Sequence, residues 1–520
     1  MKLFMDKYQN DVFGAITGLD RVALRGTIRW LASIAGLGSY MGVRNILLKD
    51  FKPWAEDKTQ QVRTACERTA DSLGIETRYL QCPKTDKEAL AREIAKKNGI
   101  KVGPVCMLSV VEPSYSPTVC GNRASKKLEL CMRHRRCIWI YFYWIDEQWG
   151  FGHMRLQSWL PFTIKGCLNG REWLARQMDS AGINYIQADN CFRWISDPLA
   201  AQTLLDQQFQ INWAEKCEAM RSRYFGILDD LFGADPLEYY WSADETEVAT
   251  DIMFRSTNVL DRIFPHLMLY GMQCTDSANV MRFLGKIDAT AELPPRVNGD
   301  IRGDRKRRYE GCRVKHSTNR NSVKMYNKAG NILRVETTIN NPRGFKVFRR
   351  PNDDPDRAPS WQHMRKGLAD LHRRAQVSQQ SNERYLAFLA AAQTDEKIRE
   401  IFESVSQRVS YQGKKFRALN LWKQTDYQML AFLSQGEWAI NGFRNKDMRN
   451  VLYDSVVNPD DRRRLCARIS RQLRLLRAHG LIRKVPRTHR YVLTTKGMQL
   501  CSVVKTLDVL EPQQLTKAAA

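Results

Sequence analysis

The sequence predicts an α+β, multidomain chain: a mixed α/β N-terminal part, a helical middle, a basic β-rich segment, and a C-terminal domain of helices closed by a β-hairpin. Three observations predict it. At 520 residues the chain exceeds what one ordinary core accommodates. Its apolar periodicity alternates between helical and strand spacing. Its charge is uneven, with 15 Lys and Arg against three acidic residues between positions 301 and 350.

Residues 1–130 form the mixed α/β part. A strand is expected at 20–27, helices at 57–73 and 85–97, and short strands at 77–81 and 105–111. Residues 131–300 open with β-branched and aromatic sequence from 136 to 167. Asp146-Glu147-Gln148-Trp149-Gly150 interrupts it with the length and chemistry of a hairpin loop. A helix is expected at 170–180, and helical periodicity carries 198–284, including 213–231 and 277–284. In 301–350 the expected strands are 311–316, 322–326, 332–338 and 345–348, with a Gly-containing hairpin loop at 327–331 and a turn at 340–344. The stretch Arg350-Pro351-Asn352-Asp353-Asp354-Pro355-Asp356 reads as an exposed linker. Helices at 361–375, 382–393 and 395–407 make a connector over 351–417. Residues 418–510 are the terminal domain, followed by a plain tail at 511–520.

The balance of 82 Lys+Arg against 56 Asp+Glu, a formal charge of +26, calls for a polyanionic partner, and nucleic acid is the commonest. No window reaches the roughly 18 to 20 apolar residues that span a bilayer, and the first residues lack an apolar leader. Thirteen cysteines, an odd number without a repeating framework, read as reduced thiols in a cytosol. A soluble, cytoplasmic protein with no membrane partner is expected.

The most ordered pattern lies between 425 and 506. Thr425 is expected to cap a helix carrying Tyr427, Leu430 and Leu433. Residues 437–440 form a short strand-like link, and Asn441 caps a second helix with Phe443, Met448, Val451 and Leu452. From 462 to 479, Leu465, Ile469, Leu473 and Leu476 share one helical face, with Arg464, Arg468 and Arg471 beside it and Arg474 one turn further on. Gly480 ends this helix, and strands at 481–485 and 490–494 flank Pro486-Arg487-Thr488-His489.

This order resembles the winged-helix domains of MarR-type transcription regulators. The resemblance is carried by residues 469–476, by Ala478-His479-Gly480-Leu481-Ile482 and by Tyr491-Val492-Leu493-Thr494-Thr495-Lys496-Gly497, and it covers about 80 residues of the chain. It implies that the third helix enters the major groove, so that Arg464, Arg468 and Arg471 face base edges, while Arg487, His489 and Arg490 meet the backbone. Arginine suits both roles, because its donor fork binds guanine or phosphate bidentately. A winged helix used for protein contacts is the alternative. The acidic loop Asn458-Pro459-Asp460-Asp461 and the length of the chain depart from that family, so dimerisation is not carried over.

Within the basic segment, residues 321–328 followed by 333–338 resemble a hairpin of some phage and plasmid replication initiators, over about 20 residues. Alternation places Lys324, Tyr326 and Lys328 on one face of their strand, and Arg334 and Glu336 on one face of the next. Such a set could attack a phosphodiester, with Tyr326 as nucleophile and Glu336 as ligand to Mg²⁺ or Mn²⁺. It could equally be a salt bridge on a phosphate-binding sheet, since the His-x-His metal pair of rolling-circle initiators is absent and His316 stands alone. Arg305, Arg307, Arg308, Lys315 and Arg320 join Lys324 as candidate nucleic-acid contacts, mixed with Tyr309, Phe345 and Phe348.

Further acidic candidates are Asp146 and Glu147 with His153 and Arg155, then Asp189, then Asp244, Glu245, Glu247 and Asp251; each reads first as a solvated turn or helix face. Cys131, His134 and Cys137, with Cys120, have a conceivable zinc spacing but no second paired motif. Walker-type and serine or cysteine hydrolase signatures are missing. The expectation is a nucleic-acid-binding protein, DNA before RNA, that selects a site through its C-terminal domain and is of replication-initiator or mobile-element type. It needs no cofactor for binding, and Mg or Mn only if it is a nuclease. A non-enzymatic regulator, or a partner of structured RNA, is the alternative.

Overall fold

The computed structural model describes residues 1–509 apart from 125, 234–236, 276, 287–300, 309–310, 352–355, 391–397, 436–437, 439–441, 454–458 and 487. The chain is α+β and divides into two compact units, each assembled from separate stretches of sequence. One comprises 1–15, 249–338 and 377–520; the other comprises 16–248 and 339–376. The basic 301–350 segment is divided between the two units at residue 338.

In the first unit, the strands Ile301–Arg308, Gly311–Thr318, Asn321–Lys328 and Ile332–Ile339 form an antiparallel meander. The three inner strands match expectation, because β-branched and polar residues alternate there. The edge strand Ile301–Arg308 departs from it, since its run of arginines carries no apolar alternation. The alternation sorts the side chains. Val314, Val323, Met325, Leu333 and Val335 pack with Leu260, Leu267, Tyr385 and Phe388 of the helices Thr257–Gln273 and Leu371–Leu389, and with Phe4 of Lys2–Lys7. Lys315, Lys324, Tyr326, Arg334 and Glu336 take the opposite face.

The end of this unit has its own core, with Met429, Leu430, Phe443, Met448, Ile469, Leu473, Leu476 and Leu493 buried together. Its elements run Gln424–Leu433 (helix), Phe443–Arg444 (strand), Asn445–Leu452 and Pro459–Ala478 (helices), Ile482–Lys484 and Arg490–Leu493 (strands), and Thr495–Val509 (helix). The three strands form one sheet, with Arg490–Leu493 in the middle. Gly480 has φ +72°, the left-handed conformation that stops a helix cheaply. At Gly497 a Cβ would lie 2.0 Å from the Leu481 carbonyl oxygen, so only glycine lets the last helix start against that strand. Two expected caps differ. Thr425 lies inside the first helix, where the buried Asp426 carboxylate instead accepts from Arg417 and the Asn420 amide. Asn441 lies outside the described residues, and the second helix is closed by Asp447 accepting from the Arg444 amide.

In the second unit, the strand order is Tyr239–Phe254, Val12–Ile28, Ile164–Asn169, Gly150–Gln157, Lys127–Asp146, Gly103–Asn122, Glu76–Leu80. The first two strands also give residues 249–254 and 12–15 to the first unit. Glu76–Leu80 runs parallel to Gly103–Asn122 and is joined to it through the helix Lys87–Lys97, whose Ala91 and Ile94 pack on Val105, Leu108 and Tyr143. Asp146 pairs with Gly150 across the anticipated hairpin.

Three expectations fail here. The middle is not helical throughout, because 239–254 is a strand; its Val248, Ala249, Ile252 and Phe254 are buried on both faces and mimic helical spacing. Residues 361–363 belong to the strand Ser360–His363, paired with Lys346–Arg349, and the helix Leu371–Leu389 runs through the break expected at 375–382. The cysteines are not all free thiols: Cys120 and Cys131, brought together by the 103–122 and 127–146 strands, form a disulfide.

Candidate nucleic-acid interface

Packing dictates the orientation of the helix Pro459–Ala478. Ile469, Leu473 and Leu476 are buried, with Leu465 half-buried, and this turns Arg464, Arg468, Arg471 and Arg474 to the exposed side. Leu475, outside the expected apolar stripe, is buried as well. The arginines are lightly engaged: Arg464 lies 3.9 Å from exposed Asp461, and the Arg468 guanidinium sits 5.4 Å from the Tyr453 ring. Such exposed pairs contribute little energy. After Gly480 the two strands pair Ile482 with Leu493 and Lys484 with Tyr491. Their connection is pinned by the Val485 amide donating to the Arg490 carbonyl at 2.9 Å, and by the Arg490 amide donating to Thr488 Oγ1 at 3.1 Å. His489 is exposed at this turn, Arg490 is half-buried, and Arg487 lies outside the described residues.

On the meander, two rows of side chains cross the strands. Asp304, Lys315, Lys324 and Glu336 are successive register partners, as are Lys306, Arg313, Tyr326 and Arg334. The set singled out from sequence is thus brought together. Lys324 Nζ lies 2.5 Å from Glu336 Oε1, and the Tyr326 hydroxyl donates to Glu336 Oε2 at 2.8 Å. Glu336 is buried, which alone would raise its pKa; Lys324, Arg334 and the Tyr326 hydroxyl outweigh this and hold the carboxyl well below its ordinary value. Arg334, wholly buried, makes a two-pronged contact with Asp251 at 2.5 and 2.7 Å. Lys315 faces Lys324 directly, and burial together with that neighbour lowers its pKa.

Arg305 is exposed on the edge strand, and Arg320 is exposed at a turn with φ +69°. Arg307 and Arg308 belong to the same edge strand, but their side chains, and all of Tyr309, lie outside the described residues. Phe348 is exposed and Phe345 buried. His316 is a core residue: it is buried against the Tyr385 hydroxyl at 3.3 Å and pushed down to about 4 by burial, hence neutral.

The remaining candidates resolve into local roles. Asp146 Oδ1 accepts from the Gln148 and Trp149 amides, both at 2.9 Å, and so shapes the hairpin turn, while the Glu147 carbonyl accepts from Arg176. His153 is held near 4, chiefly by burial, and Arg155 bonds Glu112 and Tyr141. Asp189 sits in a turn at φ +53°. Asp244 pairs with Arg25 at 2.7 Å, Glu245 with Arg21 at 3.9 Å, and Glu247 lies on the same strand. Cys137 packs on Ser114, His134 on Tyr115, and Cys131 is bonded to Cys120, so the conceivable zinc ligands are each committed elsewhere. The strand 239–254 is a positioning element that helical periodicity conceals. Its signal is the β-branched and aromatic enrichment of Tyr239, Tyr240, Trp241, Thr246, Val248 and Thr250.

No family model, no curated protein and no solved structure matches the chain.

Proposed function

We propose that this protein binds DNA and selects its site through the domain at 418–510, as a winged helix would, within a protein of replication-initiator or mobile-element type. The observation that carries this reading is the exposed arginine face of Pro459–Ala478. Arg464, Arg468, Arg471 and Arg474 project from a helix fixed by three buried aliphatics, next to a short sheet whose turn offers His489. Guanidinium groups on a rigid helix can read guanine edges in the major groove, and the turn can hold the phosphates. The basic meander supplies a second surface that follows the backbone. Binding needs no cofactor.

The test is selection of duplex sites from a random pool by the full chain, followed by affinity measurement over a salt series. Replacing Arg468 and Arg471 with Ala is expected to lower affinity for the selected site by roughly 1 to 3 kcal/mol for each base no longer read, and to flatten the preference among sequences. Selection of structured RNA instead, or retention of full preference by the double variant, would refute the reading.

A further inference from the structure

The second unit carries a concave site that none of the sequence motifs points to. Where the start of the helix Phe51–Ser72 meets the outer half of the hairpin formed by Gly103–Asn122 and Lys127–Asp146, a cavity of about 530 Å³ opens. Lys49, Lys52, Arg133, His134 and Arg135 line it, and among the described residues no carboxylate does.

Lysine and arginine side chains that converge without a lining acid make a positive surface that favours an anion. Among the described residues, Lys49, Arg133 and Arg135 form no ion pair, and Lys52 reaches only exposed Glu56, at 3.8 Å. At Arg135 burial lowers the guanidinium pKa and outweighs the opposing fields of Cys137 and Glu56. The Arg135 guanidinium is laid over the Trp159 ring at 3.7 Å, and the Trp159 indole is anchored by the Pro117 carbonyl. Stacking of this kind fixes the plane and leaves the edge donors available to a ligand. Apart from Thr118 the rest of the lining is apolar, with Phe51, Val119 and Leu128 beside the cations. Arg123, Lys126 and Lys127, all exposed, extend the positive surface around the hairpin tip.

We infer that this cavity is a phosphate-binding site that takes the phosphate and sugar of a nucleotide unit. The cations bind the oxyanion, and the apolar wall accepts the sugar or base. The site belongs to the unit that lacks the arginine helix and stands independently of that domain's role. The nucleotide unit can come from a single strand or from a free nucleotide.

The experiment compares the full chain with Lys49→Ala/Lys52→Ala and with Arg133→Ala, all exposed positions expected to leave the fold unchanged, as circular dichroism and the ligand-free Tm will show. The probes are inorganic tripolyphosphate, ATP, and a labelled oligothymidylate, with Arg468→Ala/Arg471→Ala reporting separately on the terminal domain. If a strand is the occupant, the Lys pair variant binds oligothymidylate about tenfold more weakly, and its salt slope falls by about 1.4, the sum of two phosphates no longer neutralised at roughly 0.7 each. If a free nucleotide is the occupant, ATP raises the Tm of the wild type and of the Arg468/Arg471 variant but not of the Lys pair or Arg133 variants, while oligothymidylate binding stays the same. The inference is overturned if all four proteins respond alike to all three probes, or if only the Arg468/Arg471 variant binds more weakly. The second result would leave the terminal domain's role intact.

Discussion

Arg334 and Asp251 form an ion pair inside the protein: both are fully buried, and the guanidinium donates through Nε and Nη2 to the two carboxylate oxygens at 2.5 and 2.7 Å. The pair ties the strand Ile332–Ile339 to the strand Tyr239–Phe254, and Thr337 and Thr250 of the same two strands are joined through Asn382. Removing one partner leaves a buried charge without its two-pronged counterion. Asp251→Ala is therefore expected to destabilise by roughly 3 to 5 kcal/mol, whereas Arg334→Met with Asp251→Leu recovers most of that stability. Urea denaturation of the single and double variants checks this, and equal destabilisation in both would show that the charges themselves are not the point.

The depressed pKa of Glu336 has a pH signature. A group whose folded pKa lies below its unfolded value stabilises the fold above the unfolded pKa, near 4.5, and that contribution fades as the pH falls toward the folded value of about 2. Wild-type stability is thus expected to drop between these values more steeply than that of Glu336→Gln, which starts lower and changes less. Denaturation midpoints at several pH values between neutral and about 2.5 test it; parallel curves would contradict it.

The meander is expected to meet nucleic acid without regard to sequence. Reversing Arg305, Arg307 and Arg308 to Glu should weaken binding to every sequence alike and lower the salt slope by about 0.9 for each duplex phosphate no longer neutralised. A change confined to one preferred sequence would move specificity to this sheet.

Both carboxylate oxygens of Glu336 are occupied, one by Lys324 and the other by Tyr326. We expect this set to hold the sheet together, with no cleavage of single-stranded, duplex or supercoiled DNA in Mg²⁺ or Mn²⁺ that depends on it. Denaturing gels of labelled DNA decide the matter. Cleavage abolished by Glu336→Gln would make the carboxylate a metal ligand, and a covalent adduct that disappears in Tyr326→Phe would make the phenol a nucleophile.

Short-range signals carry much of this architecture. The meander, the hairpin at 146–150 and the helix Gly170–Ser180 follow from local periodicity and turn chemistry, and alternation alone puts Lys324, Tyr326 and Glu336 together. The strand Tyr239–Phe254 is hidden because burial on both faces erases the period-2 pattern. For the same reason Asp251 reads as one of a group of solvated acids when it is the partner of Arg334. The cavity between residues 49 and 135 is illegible because its cations come from a helix start and a hairpin about 80 residues apart, and no local pattern records a concavity.

Phe4 and Tyr8 share a core with Tyr385, Phe388 and Leu389, and Lys7 donates to the Ala390 carbonyl across 383 positions of chain. During translation the first helix emerges long before the residues that cover it exist. At about 5 to 20 residues per second, the wait is roughly 20 to 75 seconds. Over that interval its aromatic side chains are exposed to chaperones and to neighbouring nascent chains, so yield in the cell is set by the order of synthesis as well as by final stability. Circular permutation that brings residues 377–390 ahead of the first helix would shorten the wait without altering the packing of the finished core.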